Sequence, residues 1–388
     1  MHSAQLASTA ALQLIASRLE SEPELGIDCE FHSEGRYFPK LCLVQLAFGS
    51  ELVVVDPKQA DLSVLAPALA SETLRKVLHD GRQDLPILAR ATGATRIRSV
   101  FDTQIAAAFA GLGSSIGYGA LVRELCGVEL DKSLQVSDWT GPLTDAQIEY
   151  ALDDVRHLAR VSADLRARLE TSGRAAWTDR ACEEATARAL VRPDRDKLYR
   201  RVPAFSRLSA AQLGVLREVA AWRDDVAQSL DKPPSTVAND LALKSLALQP
   251  PRDLRALAAV RGLGAGRNEP WSRKLIAAVE RGLAKPEEKV RAPSREREAV
   301  IEGLASVLGL VRRLVAGREA IAADLLADQS DLRALAEWHL DGRPEGIELD
   351  VLAGWRRAIF GDLALRALAG EMSFRADGTT SSGIAITE

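Results

Sequence analysis

The chain has 388 residues, 47% hydrophobic and 27% charged, which describes a globular protein of two or three domains and excludes a fibrous or disordered one. No apolar run approaches the roughly 20 residues of a membrane span, no basic-then-apolar leader is read at the amino terminus, and Cys29, Cys42, Cys126 and Cys182 form no Cys-x-x-Cys pair. A cytoplasmic protein with reduced thiols and no cysteine zinc site is therefore expected. The formal net charge of −4 is unevenly spread: −7 over residues 1–190, +8 over 191–285 and −5 over 286–388. A basic part beside acidic ones suits a protein that holds a polyanion in one place and gathers cations in another, although solvated charged faces give part of the same contrast.

Leu6, Leu12, Leu14, Ile15 and Leu19 have helical spacing, and Pro23 ends that helix before a strand. The strand, Leu25 to Phe31, places Asp28 and Glu30 two residues apart and so on one face, with Ile27, Cys29 and Phe31 on the other. Leu41–Phe48 and Leu52–Asp56 flank Gly49-Ser50-Glu51 and read as an antiparallel hairpin. Helix and strand then alternate: a helix after Leu62, strand Lys76–His79, helix Gln83–Ala91, a strand near Val100 and helix Thr103–Ala110. This order predicts a mixed sheet with helices on its faces.

Residues 131–141 read as a polar loop around Trp139, and Thr144 with Gln147 has the spacing of a capping box opening a helical stretch to Leu169. Tyr150 and Asp154 lie one turn apart on one face of that helix. Residues 191–204 are charged and interrupted by prolines, and are expected to be a linker. A helical unit follows over 205–285, then a charged linker over 286–297, a second helical unit over 298–374 and a tail over 375–388 expected to be disordered. The two leucine-rich units are similar enough to be a diverged duplication.

An Asp-x-Glu strand alone reads as half-buried with a solvated outer face. Its other reading, a pair of ligands for a hard divalent cation, gains weight from the acids that arrive later, Asp84 and Asp154. The set Asp28-Cys29-Glu30-Phe31, Tyr37-x-Pro39-x-Leu41-x-Leu43-Val44-Gln45-Leu46, Gln83-Asp84-Leu85, Phe101-Asp102-Thr103-Gln104-Ile105, Leu130-Asp131-Lys132, Ser137-Asp138-Trp139 and Tyr150-Ala151-x-x-Asp154-Val155 spans residues 25–155 almost continuously. This order resembles the tyrosine-bearing branch of the DEDD superfamily of 3′→5′ exonucleases, and within it the ribonuclease D family. Residues 205–285 resemble an HRDC domain, with 298–374 corresponding to a second.

The resemblance implies an α/β, ribonuclease H-like mixed-sheet exonuclease domain over residues 1–190 followed by two small all-α HRDC-like domains. It implies a two-metal phosphodiester hydrolase acting on RNA 3′ ends and releasing 5′-mononucleotides, with two Mg²⁺ or Mn²⁺ ions, tRNA precursors as substrates, no membrane and a monomeric chain. By the same resemblance Asp28, Glu30, Asp84 and Asp154 hold metal and Tyr150 orients the attacking water, while Phe31, His79, Lys132, Gln135 and Trp139 contact substrate. Residue by residue, plainer roles stand beside these: Asp102 as a helix N-cap, His79 as a strand-end residue, Trp139 as loop packing. Two positions depart from the family pattern, Cys29 in place of threonine and Gly141 in place of the arginine before Pro142. A DNA-directed exonuclease of the same superfamily and a non-catalytic RNA-binding protein with a nuclease-like fold are the competing functions.

Overall fold

The computed structural model describes residues 7–131, 137–268, 270–288, 294–380 and 383–387. It opens with α1 (Thr9–Leu19), whose N-cap Ser8 accepts a hydrogen bond from the Ala11 amide. Strands β1 (Glu24–His32), β2 (Lys40–Phe48) and β3 (Glu51–Val55) follow, with β2 and β3 pairing antiparallel across Gly49, which takes φ +54°. Then come α2 (Ala66–Ala70), β4 (Arg75–Leu78), α3 (Asp84–Thr92), β5 (Val100–Asp102), α4 (Thr103–Phe109) and α5 (Tyr118–Cys126). The sheet order is β3-β2-β1-β4-β5, with β1, β4 and β5 parallel, so the expected mixed sheet is present.

The capping box at Thr144 and Gln147 is present and opens α6 (Asp145–Arg156). The helical stretch expected to run on to Leu169 breaks at His157 into α7 (Leu158–Thr171), and α8 (Ala175–Leu190) follows.

The chain divides into two compact units. One comprises residues 31–40 and 191–293, the other 1–30, 41–190 and 294–388. Residues 191–204, expected to be a linker, instead form a 3₁₀ segment (Arg195–Arg201) that opens the smaller unit, because Leu198, Tyr199 and Val202 are buried in its core. Helices α9 (Ala210–Leu230), α10 (Pro234–Val237), α11 (Asp240–Leu248), α12 (Leu254–Ala258) and α13 (Trp271–Ala284) complete it. Residues 31–40 join this unit, where the Tyr37 hydroxyl donates to Asp224 at 2.8 Å and the Phe38 amide to Asp231 at 3.0 Å. At Gly282 a Cβ would lie 2.4 Å from Val215 Cα, so glycine is what lets α9 and α13 pack this closely.

The remaining helices are α14 (Arg295–Glu319), α15 (Ala323–Leu326), α16 (Gln329–Leu340), α17 (Gly354–Arg356) and, after a π-helical turn, α18 (Asp362–Leu368). Residues 298–374 are not a free-standing domain. Ile301, Leu308, Val311, Leu335 and Phe360 share one apolar cluster with Phe101, Phe109, Leu121 and Leu165 of the sheet-bearing part. Trp177 stacks on Trp355 with centroids 5.5 Å apart, and the Ala322 amide donates to the Ala108 carbonyl at 3.2 Å. Each fully buried Leu or Phe contributes about 1.5–3 kcal/mol, so this shared core is a major part of the unit's stability. The tail also departs from expectation. β6 (Ser373–Ala376) and β7 (Ile384–Thr387) pair antiparallel, and the Asp377 side chain organises the turn by accepting from the Thr379 amide and hydroxyl.

Candidate active site

The alternation of β1 sets the site. Ile27 and Cys29 are buried in the core, while Asp28 and Glu30 are half-buried on the other face. From α6, Asp154 is brought to the same place. One carboxylate oxygen from each of Asp28, Glu30 and Asp154 lies within 4.8 Å of the others. Asp84, the first residue of α3, is buried at 8% exposure, and its charge raises the pKa of both Asp28 and Glu30. All four sequence-expected acids therefore act on one another.

Burial is the leading cause of every shift, and mutual repulsion is added to it. Glu30 is pushed up to about 8 by burial and then by Asp154 and Asp84. Asp154 rises to about 7 through burial and Asp153, and Asp84 to about 7 through burial, against the pull of its own backbone amide. Asp28 is held well above the usual carboxylate range by burial, then by Asp84, Asp154 and Glu30. An all-oxygen donor set that destabilises its own charged form fits a hard divalent cation, whose charge offsets both terms.

Tyr150 lies one turn before Asp154 on α6 and is half-buried. Burial and the nearby carboxylates push its hydroxyl to about 12, so at neutral pH it is a protonated donor and not a base. Trp139, expected to contact substrate, is buried at 7% exposure with Cys42, Leu43, Val54 and Leu152, and its ring centroid lies 6.1 Å from that of Tyr150. It packs behind the tyrosine.

His79, also expected to contact substrate, has both ring nitrogens engaged within the protein. Nε2 lies 3.0 Å from the Ile116 carbonyl and Nδ1 2.9 Å from the Thr103 hydroxyl. Burial lowers its pKa, and the Thr103 hydroxyl beside Nδ1 also lies 3.0 Å from the Leu78 carbonyl, to which it donates. Phe31 is half-buried. Lys132 and Gln135 lie outside the described residues.

Sequence reasoning missed Tyr118 as a neighbour of the site, and a second role of Asp102. Tyr118, at the start of α5, is close enough to Asp28 and Asp154 for their charges to help raise its pKa, and its ring lies 5.5 Å from that of His79. The carboxylate of Asp102 accepts not only from its own helix but also from the amides of Asp80 and Gly81. The Phe-Asp-Thr sequence signals the cap; nothing local signals the second contact.

A family profile described as 3′-5′ exonuclease matches residues 6–170, and one described as HRDC domain matches residues 212–279. Ribonuclease D of Gluconacetobacter diazotrophicus is 37% identical over 96% of this chain and 95% of its own. That of Nitrobacter hamburgensis is 34% identical over 95% and 96%. The structure of RNase D from Escherichia coli, an exoribonuclease involved in structured RNA processing, superposes with a TM-score of 0.82 at 28% identity, covering 96% of this chain and 99% of that one. Full-length identity, the two matched domains and the fold agree: the chain belongs to the ribonuclease D family of 3′→5′ exoribonucleases.

Proposed function

We propose that Asp28, Glu30, Asp84 and Asp154 hold two divalent cations, Mg²⁺ or Mn²⁺, at which RNA is shortened from its 3′ end. The observation that carries this is the meeting of three carboxylates from β1 and α6 within 4.8 Å, with Asp84 acting on the same groups. Asp28, on which Asp84, Asp154 and Glu30 all act, would serve both ions; Glu30 and Asp154 would complete the set around one, and Asp84 would serve the other. When bound, such a pair supplies an activated water and charge stabilisation at the attacking and leaving oxygens.

The chain's own residues do the rest. Tyr150, protonated at neutral pH, donates a hydrogen bond that orients the attacking water toward the terminal phosphodiester. Trp139 keeps the Tyr150 ring in place from behind. The partial burial of Asp28, Glu30 and Asp154 and the fuller burial of Asp84 strengthen the charge interactions among them. The smaller unit, which includes the +8 segment, contacts the RNA backbone, and Lys132, Gln135 and Phe31 contact the terminal nucleotides. The substrates are tRNA precursors with a free 3′ end, handled in the cytoplasm by a monomer.

The test is a time course on 3′-labelled and 5′-labelled RNA with Mg²⁺ or Mn²⁺, with EDTA and Asp154→Ala as controls and unlabelled DNA as competitor. Stepwise release of 5′-mononucleotides from the 3′ end, lost in both controls and resistant to DNA, is the expected result. Internal cleavage, or activity that survives Asp154→Ala, overturns the assignment.

A further inference from the structure

Asp84 must be held in place by something other than its own helix cap. Gln83, the N-cap of α3, makes no side-chain capping bond. The segment before it, His79 to Gln83, leaves β4 and turns sharply, with Asp80 in the left-handed region at φ +53°. For a residue with a Cβ that conformation is unfavourable and persists where the surroundings enforce it. Next to it, a Cβ at Gly81 would lie a tight 3.1 Å from Leu78 Cδ2.

The enforcing group is Asp102, the last residue of β5, which is 8% exposed and sits beside Leu78 in the parallel register. Its Oδ1 accepts from the amides of Gln104 at 2.9 Å and Ile105 at 3.4 Å, which caps α4, and also from the Asp80 amide at 3.1 Å. Its Oδ2 accepts from the Gly81 amide at 3.0 Å. The Gly81 carbonyl in turn accepts from the Leu85 amide at 3.0 Å, in the first turn of α3. One carboxylate therefore ties the end of β5, the turn after β4 and, through the Gly81 peptide, the residue next to Asp84.

Helix capping alone does not need this residue type. A serine hydroxyl caps α4 as well as an aspartate does but is too short to bridge to a second chain segment. Only an ionised carboxylate offers two oxygens that accept on both sides. Asparagine keeps one acceptor and presents an NH₂ donor where the other amide requires an acceptor.

We propose that Asp102 is a positioning residue for the metal centre: its buried carboxylate clamps the Asp80–Gly81 turn and thereby fixes the first turn of α3, which presents Asp84. This rests on the reading of Asp84 as a metal ligand, so the experiment tests both. Mn²⁺ binding is measured by titration calorimetry on the full chain for the wild type, Asp84→Asn, Asp102→Ser, Asp102→Asn and the double variant Asp84→Asn with Asp102→Ser. Thermal melts establish that each is folded, and Asp102→Asn, nearly isosteric, carries the test if Asp102→Ser does not fold.

Loss of an outer-shell partner of a metal ligand typically weakens metal binding about 10–100-fold. That loss is expected in both Asp102 variants, together with a lower kcat and a KM for RNA within about twofold of wild type. In the double variant binding is no weaker than in Asp84→Asn alone, because both changes act through one side chain. Wild-type Mn²⁺ affinity in the Asp102 variants, with weakened affinity in Asp84→Asn, overturns the positioning role and leaves the ligand role standing. Full additivity in the double variant also overturns it, since Asp102 then acts elsewhere. Wild-type affinity in Asp84→Asn removes the ligand reading and the inference with it.

Discussion

Replacing Glu30 with glutamine makes the metal-free protein more stable at neutral pH. In the fold the Glu30 carboxyl is pushed from 4.5 to about 8, by burial first and by Asp154 and Asp84 after it. A carboxyl whose folded pKa is raised favours the fold fully below its unfolded value and loses that contribution as pH climbs toward the folded value. The window here runs from about 4.5 to about 8. At about 1.4 kcal/mol per pH unit, the ionisable side chain costs the metal-free fold roughly 3 kcal/mol at pH 7, a penalty that glutamine does not carry. Thermal unfolding of both proteins in EDTA from pH 4.5 to 8.5 measures it. The curves should nearly coincide at the acid end and separate by roughly 5–10 °C near pH 7, the variant higher. Saturating Mn²⁺ should reverse the order, because the wild type gains a bound ion that the variant holds poorly. Parallel pH dependences in EDTA refute the reasoning, for then the carboxylates do not repel in the fold as their placement requires.

Tyr150→Phe keeps the ring against Trp139 and removes only the donor, so kcat should fall about 10²-fold with stability unchanged, measured by steady-state kinetics and melting. Trp139→Ala empties a buried site and should cost about 3–5 kcal/mol, read by urea unfolding, with kcat falling as Tyr150 loses its backing. Exchanging the exposed Arg252, Arg255 and Arg261 for glutamate should raise KM and flatten the log–log salt dependence of RNA binding, by up to about one unit of slope per lost phosphate contact, while kcat stays within about twofold. A chain ended after residue 288 should aggregate on expression, because Phe109 and Trp177 lose the helices that cover them; a monodisperse, folded product would contradict the shared core.

The site was legible where periodicity is short and chemistry is local. A period of two puts Asp28 and Glu30 on one face whatever lies around them, and Thr144 with Gln147 announces the start of the helix that carries Tyr150 and Asp154. What long-range packing decides was not legible. A helical stripe in residues 298–374 says that those helices bury one side, not that the covering surface is Phe101, Phe109 and Leu165 of the exonuclease part. Leu198, Tyr199 and Val202 sit among charges and a proline, so their burial depends on the partner core and not on any pattern of their own. The helix Tyr118–Cys126 is only 9 residues long and begins beside two glycines, which hid the Leu121, Val122 and Leu125 face that the core fixes. For His79 and Trp139 the sequence could not show their protein partners, because a polar ring near a site in sequence does not reveal what packs against it.

The shared core also orders events during synthesis. Ala108 must wait for Ala322, and Phe109 for Trp355, before their contacts exist, so the segment carrying all four acids is made long before its last structural partner. At about 5–20 residues per second, the stretch from Leu190 to Leu368 takes roughly 10–40 s to emerge. Over that interval the smaller unit, contiguous in sequence except for residues 31–40, can fold while the nuclease cannot close its core. The apolar core under the sheet that carries the acids is therefore closed only once residues 295–368 have emerged.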